Sequence, residues 1–311
     1  MSDLRAAVIG VGHLGKHHAR ILSSTPGVAL VAVVDRDEAR AAEHAKASGA
    51  TVCADVSELA GVDLDAVCVA VPTEDHLAVA TPLLARGIGV LVEKPMTRAL
   101  DEADRMIAAA REGNAILAVG HTERFNPAVE AALPHVTAPR FIEVHRLSPF
   151  PERSLDIDVI FDLMIHDLDI VRVMVGSDVV ELEAVGVPVL SHRFDIANVR
   201  LKFASGCIAN LTASRISRDR VRKLRVFQRD AYISIDYAEQ EVEAFRLDRT
   251  GAKPAIAGGS LPIEKEEPLR REIEDFLAAV RETRPPRVTG EDGRAALALA
   301  DRIASAMVAV T

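Results

Sequence analysis

Three stretches of this sequence combine residue types and spacings suited to binding or reaction. Val92-Glu93-Lys94-Pro95 closes an apolar run. Read as the carboxyl end of a parallel strand, it places the Lys94 ammonium where open α/β sheets bind ligands, and the following proline restricts the lysine backbone. The alternative is a surface lysine in a strand-to-helix loop. Asp162, His166 and Asp169 recur at i, i+4 and i+7, one helix face, while Leu163, Ile165, Leu168 and Ile170 take other directions. A carboxylate beside an imidazole holds it and favours its protonated form, which suits Asp162 and His166 to general-base work on an alcohol. The alternative is a polar stripe whose histidine bonds within the fold. An Asp-His-Asp set also invites a metal, but no further ligand cluster in the sequence supports one.

The third stretch is Ala7-Val8-Ile9-Gly10-Val11-Gly12-His13-Leu14-Gly15, an apolar run emptying into G-x-G-x-x-G. Closely spaced glycines turn a strand sharply into a helix and leave bare N–H groups at the helix start, which suits a pyrophosphate. His13 and Leu14 fall inside that loop. Asp35 ends the next apolar run twenty residues after Gly15, where a carboxylate accepts the adenosine ribose hydroxyls and repels a 2′-phosphate. This favours NAD over NADP. Arg36 is either a partner for that phosphate or a solvated loop residue.

The elements that must carry these groups follow from hydrophobic periodicity. Short strands, apolar on both faces, are expected at about 5–10, 29–35, 66–71, 88–93 and 115–119, with a weaker one at Thr51-Val52-Cys53. Helical patterns separate them at Leu14 to Ser23, Arg36 to Ser48, His76 to Arg86 and Leu100 to Arg111. This succession predicts an α/β fold opening on a Rossmann doubly wound parallel sheet over residues 1–120. Residues 121–311 read as a second α/β domain built on an open, mostly antiparallel sheet, with one prominent helix from about Val159 to Val175. Its strands are expected at 140–147, 179–187, 196–203, 207–214, 223–228 and 231–235, followed by a loop from Gly251 to Gly259. Helices from Pro268 to Arg281 and Glu291 to Val310 close the chain, and the last is a candidate to pack back on the first domain. An open sheet with helices on one side needs cover, which a homodimer or homotetramer would give.

The chain has 311 residues, 49% hydrophobic and 27% charged, with a net charge of −9. That size suits two domains, and the acidic balance argues against nucleic acid as a ligand. No apolar run is long enough to span a membrane, and the N-terminus enters the first strand with no room for a signal peptide. Cys53, Cys68 and Cys207 are odd in number and far apart, as expected of buried thiols in the cytoplasm. Arg146, Arg153, Arg215, Arg218, Arg220 and Arg222 all fall in the second domain. Arg215 to Arg222 is the densest basic stretch, either a diphosphate handle or a solvated loop.

The G-V-G-H-L-G loop, Val71-Pro72-Thr73-Glu74-Asp75-His76, Glu93-Lys94-Pro95 and the Asp162/His166 pair together resemble the Gfo/Idh/MocA family of nicotinamide oxidoreductases. The resemblance spans nearly the whole chain. It implies that Lys94 polarises a substrate hydroxyl while His166, assisted by Asp162, removes its proton. It further implies that Val71, Pro72, Thr73, His76 and Glu93 lie on the cofactor side, and that the Lys94-Pro95 peptide is cis. The runs Gly120 to Pro127 and Leu163 to Asp169 are similar to the branch of UDP-N-acetylglucosamine 3-dehydrogenases. That likeness implies a UDP-N-acetylhexosamine substrate, with Glu123, Arg124, Asn126, Arg215 and Arg218 as sugar or diphosphate contacts. Alternatives are an unphosphorylated sugar or cyclitol, and a dinucleotide-binding regulator without catalysis. Such regulators need not keep the lysine and histidine that this chain has.

Overall fold

The computed structural model describes residues 3–150, 157–251 and 253–309, so Arg153 and the expected helix end at Val310 lie outside the described residues. The chain divides into two units, Met1–His121 with Leu269–Ala295, and Thr122–Pro268 with Ala296–Thr311. The expected cut at 120/121 thus misses a returning segment.

In the first unit, β1 (Leu4–Ile9), α1 (Gly15–Ser24), β2 (Val28–Val34), α2 (Glu38–Ala45), β3 (Thr51–Cys53) and β4 (Ala66–Val69) follow the expected alternation. They continue into α3 (His76–Ala85), β5 (Gly89–Glu93), α4 (Leu100–Glu112) and β6 (Leu117–Gly120). The strands are parallel, in the order β3-β2-β1-β4-β5-β6. Because β4, and most of β1 and β5, is buried, only apolar residues on both strand faces satisfy this arrangement. The order reverses direction at β1/β4, which opens a crevice at the carboxyl ends of those strands.

The second unit begins with α5 (Pro127–Ala132), β7 (Pro139–Leu147) and a π-helical turn at Ile160–Met164 that runs into α6 (Ile165–Val175). The expected single α-helix from Val159 therefore starts with a wider turn. Next come β8 (Val179–Val187), β9 (Ile196–Phe203), β10 (Ile208–Ser214), β11 (Val221–Gln228), β12 (Ala231–Asp236), β13 (Glu241–Asp248) and β14 (Ala255–Ser260). The last two were not expected. β13 and β14 keep few buried residues, so their sequences lack a clear alternating apolar face. In β9 that alternation is plain, with Ala197, Val199, Leu201 and Phe203 buried and Asn198, Arg200 and Lys202 exposed.

Two helices follow, α7 (Pro268–Glu282) and α8 (Gly290–Ala306), and β15 (Val308–Ala309) completes a nine-stranded sheet. Its order is β14-β13-β12-β11-β7-β10-β9-β8-β15, antiparallel except at β7/β10 and β8/β15. The last helix stops at Ala306, short of the expected Val310. Ile273, Phe276 and Leu277 of α7 join the core of the first unit, whereas Ala296, Leu299, Ala300 and Ile303 of α8 join that of the second. Among the described residues, no helix is long and apolar enough to cross a membrane.

One charged pair anchors the β9–β10 region. Arg215 is fully buried and donates through Nε to Asp195 (2.9 Å), through Nη1 to the Ile157 carbonyl (2.8 Å) and through Nη2 to Ser191 Oγ (3.0 Å). Asp195 also accepts three backbone N–H groups, from Val189, Leu190 and Ser191. Burial opposes its charge, but the Ser191 hydroxyl, these N–H groups and Arg215 hold it well below the usual carboxylate range. Arg215 is thus part of the scaffold and is not free to hold a diphosphate. Its removal leaves a buried carboxylate without its counter-charge, so Arg215→Ala is expected to cost about 3–5 kcal/mol of stability in urea unfolding.

Candidate active site

The first unit offers a dinucleotide cradle. Gly10 turns the chain with φ +82°, which is inexpensive only for glycine. A Cβ at Gly10 would lie 2.7 Å from the Ala70 carbonyl oxygen, and one at Gly15 would run into the carbonyl of Gly10. The fold itself therefore demands both glycines. Gly12 differs, because a Cβ there would meet nothing within 4 Å. No contact within the fold requires its bareness, and the open space there suits a pyrophosphate approaching the start of α1. His13 and Leu14 are exposed on the same loop.

Asp35 sits at the end of β2, buried, and its carboxylate accepts from Val11 N (2.9 Å) and Asp37 N (2.9 Å). Arg40, on α2, adds two bonds, of 3.2 Å through Nε and 2.7 Å through Nη2. Burial opposes the charge of Asp35, but Arg40 and the two N–H groups outweigh it and lower its pKa. Arg36 is exposed and reaches Asp75 at 3.3 Å.

Lys94 is partly exposed between buried Glu93 and Pro95 at the end of β5, and the Lys94-Pro95 peptide is cis. The carboxylate of Glu93 turns inward. Its Oε1 meets Nε2 of His18 on α1 at 2.8 Å, and its Oε2 accepts the N–H of Lys94 at 3.3 Å. His76 is 1% exposed, with Nδ1 facing the Pro95 carbonyl (3.1 Å) and Nε2 facing that of Val71 (3.0 Å). It joins the loops after β4 and β5, and burial keeps its pKa below the ordinary value. Glu93 and His76, expected on the cofactor side, thus hold the loops that carry Val71, Pro72, Thr73 and Lys94. Pro72 is exposed, and Val71 and Thr73 are partly so.

In the second unit, Asp162 lies in the π turn and His166 in the first turn of α6. Both stay partly exposed, although Met164, Ile165, Asp167, Leu168 and Asp169 are buried. Asp169 leaves the expected stripe. It is fully buried and takes Arg124 at 2.7 and 3.3 Å. Glu123 accepts from Arg146 (3.0 Å) and from Asn126 Nδ2 (3.1 Å). Asn126 is buried, caps α5 through Ala128 N (3.0 Å) and donates to the Tyr237 carbonyl (3.0 Å). These three expected substrate contacts are bound into the scaffold by partners that the local motif does not reveal. Arg218 is exposed in the loop between β10 and β11.

Sequence reasoning missed His18 and Arg40, and it named Arg146 only among the basic residues of the second domain without its buried pairing. A histidine three residues beyond Gly15 on the apolar face of α1 was the available sign of the first. Arg146 had no such sign, since it pairs bidentately with Asp167 (2.6 and 2.9 Å) across the second unit. Burial opposes its charge, but Asp167 and Glu123 outweigh it and raise its pKa.

Burial likewise opposes protonation of His18, yet Cys68 and Glu93 outweigh it and raise the pKa well above the ordinary value. A raised folded-state pKa gives stability that is complete below about pH 6.5 and is lost as pH rises through the folded value. The stability gap between wild type and His18→Gln is therefore expected to be wider at about pH 6 than at about pH 9 in denaturant titrations.

Comparison with known proteins agrees with this geometry. Residues 4–121 match the family model described as "Oxidoreductase family, NAD-binding Rossmann fold", and residues 102–234 match that of the GFO/IDH/MocA C-terminal domain. The chain is 38% identical to UDP-N-acetylglucosamine 3-dehydrogenase of Acidithiobacillus ferrooxidans, covering 99% of each. The solved structure of that enzyme, GnnA, matches with a TM-score of 0.91 over 99% of this chain and 98% of that one. An inositol 2-dehydrogenase of Rhizobium meliloti is 26% identical, with 96% of this chain and 95% of that one covered. The chain belongs to the Gfo/Idh/MocA family of NAD-binding oxidoreductases.

Proposed function

We propose that this protein is an NAD-dependent dehydrogenase that oxidises the 3-hydroxyl of UDP-N-acetylglucosamine or a closely related UDP-N-acetylhexosamine. The observation that carries the substrate is the 38% identity over 99% of both chains. The three buried free cysteines favour a reducing compartment, the cytoplasm. The outer face of the nine-stranded sheet supports a homo-oligomer, since Phe141, Phe227, Tyr232 and Phe245 form an aromatic ladder there and Phe227 is 37% exposed.

Gly10, Gly12 and Gly15 with the start of α1 hold the pyrophosphate, and Asp35 takes the adenosine ribose. Four donors already crowd that carboxylate, about as many as it has lone pairs. Arg40, whose side chain is 45% exposed, is the one free to swing aside for a hydroxyl. Bound NAD supplies the hydride acceptor. Lys94 donates a hydrogen bond to the substrate hydroxyl and stabilises the oxygen as negative charge develops on it. His166 takes the hydroxyl proton, with Asp162 favouring the imidazolium that results. The free-sugar or cyclitol reading is supported by the inositol 2-dehydrogenase relative.

His166→Ala is expected to reduce turnover by about 10²–10⁴-fold while NAD still binds, and Lys94→Ala to be at least as severe. These rates are to be measured on UDP-N-acetylglucosamine, N-acetylglucosamine and myo-inositol. The nucleotide-sugar should be far the best substrate, with UDP a competitor; equal rates on the free sugars without UDP inhibition would sink the nucleotide assignment. Asp35→Ser releases Arg40 and removes the charge that repels a 2′-phosphate, so NAD affinity should fall roughly ten- to a hundredfold while NADP gains relative to it. Fluorescence titration with the two cofactors checks this.

A further inference from the structure

Arg146, Arg222 and Tyr237 form one row across the second unit. Arg222 on β11 stands opposite Arg146 on β7, and the Tyr237 N–H donates to the Arg222 carbonyl at 3.0 Å just beyond β12. Directly opposed residues of antiparallel strands share a face, so the three side chains emerge on the side that also carries buried Val144, Leu224 and Ile235. Arg146 reaches across the row, its guanidinium 5.3 Å from the centre of the Tyr237 ring. The row meets α6 through the Arg146–Asp167 pair, at the residue next to His166.

Two arginines placed opposite each other on a half-buried sheet face repel, and a protein gains nothing from them unless each has a counter-charge. Arg146 has two, Asp167 and Glu123. Arg222 has none in contact. It is half-buried, and no hydrogen bond or ion pair is made by its guanidinium among the described residues. Burial, then Arg146 and Arg220, act against its charge and outweigh the favourable charges of Glu123 and Asp167, so its pKa is lowered, although a guanidinium stays charged at any ordinary pH. On the same face, the Tyr237 hydroxyl is buried without a hydrogen-bond partner among the described residues, and burial raises its pKa well above the ordinary value, so it remains a neutral donor. Arg222 and Tyr237 thus place two donors on one sheet face, neither of them with a hydrogen-bond partner among the described residues.

We propose that Arg222, aided by the Tyr237 hydroxyl, is the receptor for an anionic oxygen of the substrate, the diphosphate of the nucleotide-sugar. The ligand named here rests on the substrate reading above; the unsatisfied donors do not. A planar guanidinium recognises a phosphate through paired hydrogen bonds, and a half-buried one does so with little competition from water. This replaces the expected role of Arg215, which is committed to Asp195, with a residue of the same basic stretch. It also explains why an unfavourable charge pair is kept so close to His166, because sites that bind are commonly less stable than they could be.

The test uses the full-length protein with Arg222→Met and Arg222→Lys. Arg222→Met should keep or raise Tm, since it removes the repulsion, whereas loss of a merely structural arginine would lower it. Its KM for UDP-N-acetylglucosamine should rise about ten- to a hundredfold with a much smaller change in kcat. The Tm increase that UDP gives the wild type should vanish in Arg222→Met, return in part in Arg222→Lys, and leave the NAD-induced increase unchanged. An Arg222→Met enzyme with normal KM and full UDP protection would overturn the proposal, as would a lowered Tm with the UDP response intact. If wild type neither oxidises UDP-N-acetylglucosamine nor responds to UDP, the substrate reading has failed. Inorganic pyrophosphate then decides the anion site: protection of wild type that is absent from Arg222→Met sustains it, and no protection of wild type overturns it.

Discussion

Where β1 turns into α1, two stretches of backbone approach so closely that neither can carry a side chain. A Cβ on Gly15 would occupy the place of the Gly10 carbonyl, and a Cβ on Gly10 would press on Ala70. This contact fixes α1 against the sheet, and the rest of the first unit takes its geometry from there. The same helix delivers His18 to Glu93, and Glu93 accepts the backbone N–H of Lys94. One tight turn thus sets both the cradle for an anion and, through a buried charged pair, the strand end that presents the lysine. Such a pair is weak evidence for stability, since its desolvation consumes most of what its attraction gives. Its value here is positional.

The second unit uses buried charge differently. Arg146 ties Asp167 and Glu123 together, and Arg124 takes Asp169, so four of these five groups are held within about one turn of His166 or on the loop before α5. Apolar residues would pack α6 on the sheet equally well. The ion pairs instead favour one rotational setting of the helix, in which His166 and Asp162 stay partly exposed while Met164, Ile165 and Asp167 to Asp169 are buried. The π turn at Ile160–Met164 belongs to the same arrangement, because widening one turn changes the direction in which Asp162 leaves the helix.

Much of the first unit was legible in the sequence because its signals are local. The Gly10/Gly12/Gly15 spacing, Asp35 at the end of an apolar run, and Lys94 before a proline each report their own surroundings. In the second unit the legible part was β7 to β12, where alternation is strong. β13 and β14 were hidden by their exposure, which removes the pattern that marks a strand. The polar residues were harder to read. Glu123, Arg124, Asn126 and Arg215 have the chemistry of ligand contacts, yet their partners lie between 20 and 111 residues away or in a cap. Sequence reveals what a side chain can bond to, and only the register of β7, β11 and β12 reveals which arginines stand opposite one another.

The placement of α7 bears on how the protein comes to be made. Ile273, Phe276 and Leu277 complete a core whose other members, apart from the β6 residue Ala118, come from the first third of the chain. A ribosome that has released residues up to His121 has therefore delivered six strands of a Rossmann sheet still lacking part of its cover. The apolar patch meant for α7 stays open until synthesis has passed through eight of the nine strands of the second sheet, as far as β14. Neither unit is a module that evolution or an engineer could lift out by cutting the chain once. The dinucleotide cradle and the nine-stranded sheet are inherited together, because the segment that seals the first is encoded after nearly all of the second.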